Sequence, residues 1–165
     1  MSIRSVLAAT SFVLLLIAGG CGGAGEKATS SVTSHPAPTP RPAPTGPPGT
    51  TVRAVRSQYG PLLADGRGQA VYLFARERSP RSECYGACAV RWPPVLTKGR
   101  PRARSGGRSG LVGTTRRRDG KLQVTYGGHP IYRYEGDSPG RILCQHVREF
   151  GGLWLVVRPN GRAVL

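Results

Sequence analysis

The side chains best suited to chemistry in this chain are three cysteines and two histidines in its C-terminal region: Cys84, Cys88, Cys144, His129 and His146. Thiolate and imidazole together form a donor set for Cu(I) or Zn(II). Their spacing gives that reading little support. Cys84 and Cys88 stand in a Cys-x-x-x-Cys arrangement, uncommon for a zinc knuckle, and Cys144-Gln145-His146 sets two ligands at an odd separation. Met1 is the only methionine, so processing leaves no thioether ligand for copper. The Cys-x-x-Cys-His haem attachment motif and the Cys-x-x-Cys redox motif are both absent. A transition metal, haem or thiol redox chemistry at these five residues is therefore the alternative reading, and the main reading expects no cofactor.

Three cysteines in an oxidising compartment leave at least one unpaired or bound. A structural disulfide between two of them is expected, with its connectivity open. In a regular helix Cys84 and Cys88 would lie along one face, a poor geometry for a bridge. Gly86 allows a non-helical turn and with it a local Cys84–Cys88 bond. A bridge from either one to Cys144 would close a loop of more than 50 residues and stabilise by about 4 kcal/mol through chain entropy.

Carboxylates that could act as acid or base in the same region are Asp65, Glu77, Glu83, Asp119, Glu135, Asp137 and Glu149. A Glu77 and Asp137 pair could do such work only at a suitable separation, which sequence does not supply. Gly-x-Ser-x-Gly, His-Glu-x-x-His, Walker and dinucleotide motifs are absent, so the common enzyme classes lose support.

The chain carries 24 Lys+Arg against 8 Asp+Glu in 165 residues, a formal charge of +16. Much of the excess lies in Lys98, Arg100, Arg102, Arg104 and Arg108, and in Arg116, Arg117 and Arg118. Both clusters are expected on the surface, where the guanidinium fork suits phosphates and carboxylates. Anionic envelope polymers or lipid headgroups are the expected partners. An exported chain meets little nucleic acid, and no nucleic-acid-binding motif is present. The compositional explanation is a plain excess of Arg over Lys.

The elements that place these residues begin with an export signal. Arg4 precedes an uncharged run from Ser5 to Gly20 whose apolar centre, Phe12 to Ala18, is too short for a membrane span. The run ends in Ile17-Ala18-Gly19-Gly20-Cys21, which looks like a bacterial lipobox and implies a signal peptide over 1–20, acylation of Cys21 (palmitate among the chains) and anchorage to the outer face of the cell membrane. Loss of Arg4 takes the charge from +16 to +15. Residues 21–50 are rich in Pro, Gly, Ser and Thr and too poor in large apolar side chains to form a core; they read as an extended tether containing His35.

The β domain is placed at 51–165, with strands near 51–57, 61–64, 69–75, 111–117, 121–126, 130–134 and 153–158, and a short helical turn around Cys84 to Arg91. Pro93 requires that turn to end at or before Trp92. Asp65-Gly66, Asp119-Gly120 and Pro159-Asn160-Gly161 mark turns. Two stretches match, 65–77 and 119–137, each running from an Asp-Gly turn through a strand to an aromatic-x-aromatic-x-x-acid segment: Tyr72, Phe74 and Glu77 in one, Tyr132, Tyr134 and Asp137 in the other. The aromatic pairs share one face of their strands, and each acid is expected at a strand end, accepting hydrogen bonds from turn N–H groups.

These residues resemble the bacterial secreted-repeat family of predicted lipoproteins, whose signature is Tyr-x-(Phe/Trp/Tyr)-x-x-Asp. The likeness extends to Cys84-Tyr85-Gly86-Ala87-Cys88-Ala89, Trp92-Pro93-Pro94, Gln123-Val124-Thr125-Tyr126 and Gly151-Gly152-Leu153-Trp154. Glu77 departs from it, standing where the signature has Asp. The resemblance implies an exported, mostly β, antiparallel domain of two related units, without an established biochemical activity. On this reading repeat one covers about 52–96, a basic loop 97–110 and repeat two about 111–165. The four motif aromatics pack the repeats together, with Trp92 and Trp154 as the larger core or groove residues. The whole is a membrane-anchored, non-catalytic binding or structural module whose ligand and oligomeric state the sequence does not determine.

Overall fold

The computed structural model describes residues 48–165. The export signal, Cys21 with its expected acylation, His35 and nearly all of the tether lie outside the described residues. Among the described residues ten strands follow in order: β1 (Pro48–Val55), β2 (Leu62–Asp65), β3 (Tyr72–Phe74), β4 (Leu96–Thr97), β5 (Arg100–Arg104), β6 (Val112–Arg116), β7 (Leu122–Tyr126), β8 (His129–Tyr132), β9 (Val147–Glu149) and β10 (Gly152–Val156). One short helix, α1 (Ala87–Arg91), lies between β3 and β4, and a single 3-10 turn (Ser109–Leu111) precedes β6. The protein is mostly β, as its sequence predicts.

A three-stranded sheet has the order β2-β1-β5. A seven-stranded sheet runs β4-β7-β8-β3-β10-β9, with β6 on the other edge of β7. All these pairings are antiparallel except β1 with β5.

The centre of the larger sheet is buried on both faces, which is why its strands read as continuous apolar runs instead of an alternation. Tyr72, Phe74, Trp154 and Val156 point into one core, while Val71, Leu73, Leu155 and Val157 point into a second. The first core is aromatic and is covered by Leu62, Cys84 and Cys88 with Val164. The second is aliphatic apart from Tyr126 and includes Val52 of β1, with Ala103 of β5, Leu111, and Val112 of β6 packed against it.

The two repeats are related by an approximate twofold rotation whose axis passes between β3 and β8. Tyr72 is the ladder partner of Tyr132. On their outer edges, Val156 pairs with Tyr72 and Pro94 with Tyr132. Val157 N–H donates to Val71 C=O, and Val95 N–H donates to Ile131 C=O. Leu63 and Val124 complete the match by donating to Val157 and Val95. The Trp92-Pro93-Pro94 segment is therefore the counterpart of β10. Its two prolines lack the N–H needed for a full ladder, so an isolated bridge replaces a strand.

Two readings of the sequence change. The Asp-Gly turns are not equivalent: Asp65-Gly66 follows β2, but Asp119-Gly120 lies between β6 and β7. The counterpart of the latter is the turn between β1 and β2, where Gly60 N–H donates to Ser57 C=O just as Gly120 N–H donates to Arg117 C=O. Residues 97–110, read as a basic loop, contain β5. Its Pro101 and Ala103 turn inward while Arg100, Arg102 and Arg104 are exposed, and its ladder comes from the parallel partner β1.

Candidate functional site

The signature residues converge on the twofold axis. Trp92 and Trp154, both fully buried, stack with centroids 4.1 Å apart and planes at 3°. Tyr72 meets Trp92 edge-on at 5.1 Å, and Tyr132 meets Trp154 edge-on at 5.2 Å. Phe74 stacks on Trp154 at 4.2 Å, while its counterpart Tyr134 lies tilted on Trp92 at 4.9 Å. Such pairs contribute about 0.5–1.5 kcal/mol each beyond simple burial. A glycine makes the packing possible: a Cβ on Gly152 would stand 2.3 Å from the Phe74 ring.

The acids sit at strand ends, and each reaches across to the other repeat. Tyr72 donates its hydroxyl to Asp137 Oδ2 at 2.5 Å, and Tyr132 donates to Glu77 Oε1 at 2.5 Å. Each acid also accepts a backbone N–H six residues further on: Leu143 to Asp137 Oδ1 and Glu83 to Glu77 Oε1. The expected turn N–H bonds are present, and the cross-repeat tyrosines are an addition that the sequence reading did not contain. Burial, then the acidic partner, pushes both tyrosine hydroxyls far above the ordinary phenol range. Burial also raises Asp137, and it pushes Glu77 up to about 7 against the opposing bonds from Tyr132 and Glu83. Glu77 spends one oxygen on both donors, and its buried Oε2 has no hydrogen-bond partner among the described residues.

The five candidate ligands do not form one constellation. Cys84 and Cys88 are joined in a disulfide with Cα atoms 5.3 Å apart. Gly86, at φ 56°, turns the chain ahead of α1, so Cys84 lies outside the helix and the poor helical geometry does not arise. Cys144 is free and partly buried. Its thiol is raised by burial and opposed by the Tyr134 hydroxyl. His129 opens β8, with Nδ1 buried and unpartnered, and His146 lies in the bend before β9. Among the described residues no group of three or more His, Cys, Asp or Glu side chains is placed to hold a metal ion.

Most of the basic residues are exposed: Lys98, Arg100, Arg102, Arg104, Arg108, Arg116 and Arg118. Arg117 is the exception at 4% exposure. Its guanidinium donates to Ser82 Oγ, to Gln123 Oε1 and to the Cys84 carbonyl at 2.6–2.8 Å. It is an internal brace between the β6–β7 turn and the disulfide segment. A run of three arginines contains no signal for which one turns inward; buried Gln123, 0% exposed and in need of a donor, decides it.

An internally paired β module with a stacked tryptophan axis and no assembled reactive cluster among the described residues defines the class. A family model described as "Secreted repeat of unknown function" matches residues 53–96 and 113–158, just over half the chain. The protein belongs to this family, and the two matches coincide with the two halves of the twofold. Its description places the chain among exported proteins. No curated protein and no solved structure matches the chain. Among the described residues no helix is long and apolar enough to cross a membrane.

Proposed function

We propose that this protein is a lipid-anchored, non-catalytic module of the bacterial envelope that holds an anionic polymer along strand β5. The observation that carries the reading is the row Arg100, Arg102 and Arg104. Period-two geometry sets the three guanidiniums on one face at intervals of about 6.6 Å. All three are exposed. None is in an ion pair with a carboxylate among the described residues. They line a groove of about 390 Å3 with Pro101, Ser109 and Val112. A linear polyanion with repeating phosphodiester or carboxylate groups matches such a row, and acylation of Cys21 would keep it near that polymer.

Cosedimentation of the purified chain with a teichoic-type poly(glycerol phosphate) tests the reading. Binding that falls steeply with salt, and falls at least tenfold when Arg100, Arg102 and Arg104 become Gln, is expected. Equal binding by the triple variant would refute it. Cys21→Ala should abolish incorporation of labelled palmitate into the protein.

A further inference from the structure

A second basic feature lies apart from β5 and shares none of its residues. Arg81, Ser82 and Tyr85, from the segment between β3 and α1, face Arg116, Arg117 and Arg118 at the end of β6 across a cleft of about 420 Å3. It is a built feature. The Tyr85 ring has the guanidinium carbons of Arg117 and Arg118 at 4.3 and 4.0 Å from its centroid, and its hydroxyl accepts the Arg118 N–H at 3.0 Å. The adjoining Cys84–Cys88 disulfide, and the bond from Arg117 to the Cys84 carbonyl, fix the wall that carries Tyr85.

The charges in this cleft are poorly balanced. Asp119 is the carboxylate close to it, 3.7 Å from Arg117 Nε. Arg81, Arg116 and Arg118 are in no ion pair among the described residues. Arg116 gives one N–H to the Gly120 carbonyl, and Arg117 Nε is buried without a hydrogen-bond partner. Asp119 is the anion beside that buried donor, which leaves the exposed guanidiniums of Arg81, Arg116 and Arg118 as the unbalanced charge of the cleft. Exposed guanidinium forks lining a polar cleft suit a tetrahedral oxyanion, because paired N–H groups match two of its oxygens at once.

From this geometry we infer that the cleft is a phosphoryl-binding site formed jointly by the two repeats, with Arg81 and Arg118 as the exposed jaws and Tyr85, held from beneath by the internal brace Arg117, as its floor. The phosphoryl group comes either from free phosphate or from a phosphodiester of an envelope polymer. The inference is independent of the β5 reading.

Calorimetric titration of the full chain at 150 mM salt, with inorganic phosphate in one arm and poly(glycerol phosphate) in the other, tests it. Saturable binding in either arm, weakened tenfold or more by Arg81→Gln with Arg118→Gln at unchanged thermal stability, is expected. Binding to phosphate identifies the free ion as sufficient, and binding to the polymer alone identifies the phosphodiester. Lysine at both positions should also weaken binding several-fold, since charge without the fork does not suffice. The Arg100, Arg102 and Arg104 triple Gln variant should retain phosphate binding. For the polymer arm, the cleft is read in that triple-variant background, which removes the β5 contribution. Absence of saturable binding in both arms, or binding indifferent to the Arg81 and Arg118 changes, overturns the inference.

Discussion

Tyr72 and Tyr132 face each other across the β3–β8 ladder, and each gives its hydroxyl to the acid that follows the other in sequence. The family signature is therefore a statement about two segments, not one. Its tyrosine and its acid are five residues apart along the chain but bind in exchange across the axis. A single strand could not satisfy both, because the acid stands at an odd offset from the aromatic pair.

Removing either hydroxyl should leave a buried carboxylate one donor short. Tyr72→Phe and Tyr132→Phe are each expected to lower unfolding free energy by about 1–3 kcal/mol. Urea denaturation of the two single variants and the double variant checks this. Losses that stay below a few tenths of a kcal/mol would mean the exchange contributes nothing.

Glu77 sets a pH dependence. Its folded-state value near 7 lies above the ordinary glutamate value of 4.5. Between the two, the folded protein retains a proton that the unfolded chain has released, so stability falls as pH rises through that window and levels off above it. The full difference is on the order of 3 kcal/mol for a shift of this size. Glu77→Gln should flatten the profile between pH 4.5 and 7.5, and an unchanged slope would assign it to other groups.

Glu77→Asp makes a sharper comparison. Asp137 serves its two donors with separate oxygens, whereas Glu77 serves both with one and buries the other unpaired. Restoring the signature acid should let each oxygen take one donor, raising stability at pH 8 by about 1 kcal/mol and moving the titration to lower pH. A destabilised aspartate variant would show that the longer side chain is needed for reach.

The disulfide spans few residues, and chain entropy alone assigns it about 2 kcal/mol. Thiol titration of the unfolded, unreduced domain 48–165 should find one reactive group, Cys144, and reduction should expose Cys84 and Cys88 as well. Finding three before reduction would remove the bridge.

Arg117 should behave unlike its neighbours. Arg117→Lys keeps the charge but strands Gln123 and the Cys84 carbonyl, and a loss of about 3–5 kcal/mol is expected from breaking a buried charged network. Arg116→Gln and Arg118→Gln should leave the thermal midpoint within 1–2 °C.

The strands bearing long apolar or β-branched runs were legible because Gly and Asp-Gly breaks bracket them. Strand β5 was not, since Arg-Pro-Arg-Ala-Arg has neither branched residues nor a large inward side chain, and only pairing with β1 makes it a strand. The site was half legible. Tyr72 and Tyr132, Phe74 and Tyr134, Glu77 and Asp137, and Cys84 and Cys144 all stand at one constant offset in the chain. That offset makes Cys144 the counterpart of Cys84, but the choice of Cys88 as the bonding partner is visible only in the structure. What it lacked was the direction of the tyrosine hydroxyls, which depends on the twofold and therefore on contacts far apart in sequence. Arg117 was hidden for the same reason, its partners being Ser82, Cys84 and Gln123.

The axis between Tyr72 and Tyr132 gives the half-molecule a self-complementary face. One unit expressed alone would present an unsatisfied acid, a tyrosine without an acceptor and an unstacked indole, which a second copy rotated by half a turn could supply. Joining the copies in one polypeptide turns that encounter from a concentration-dependent assembly into a unimolecular closure. It also leaves the halves free to differ: the second carries the aspartate and a free Cys144, while the first carries the glutamate and the Cys84–Cys88 bridge.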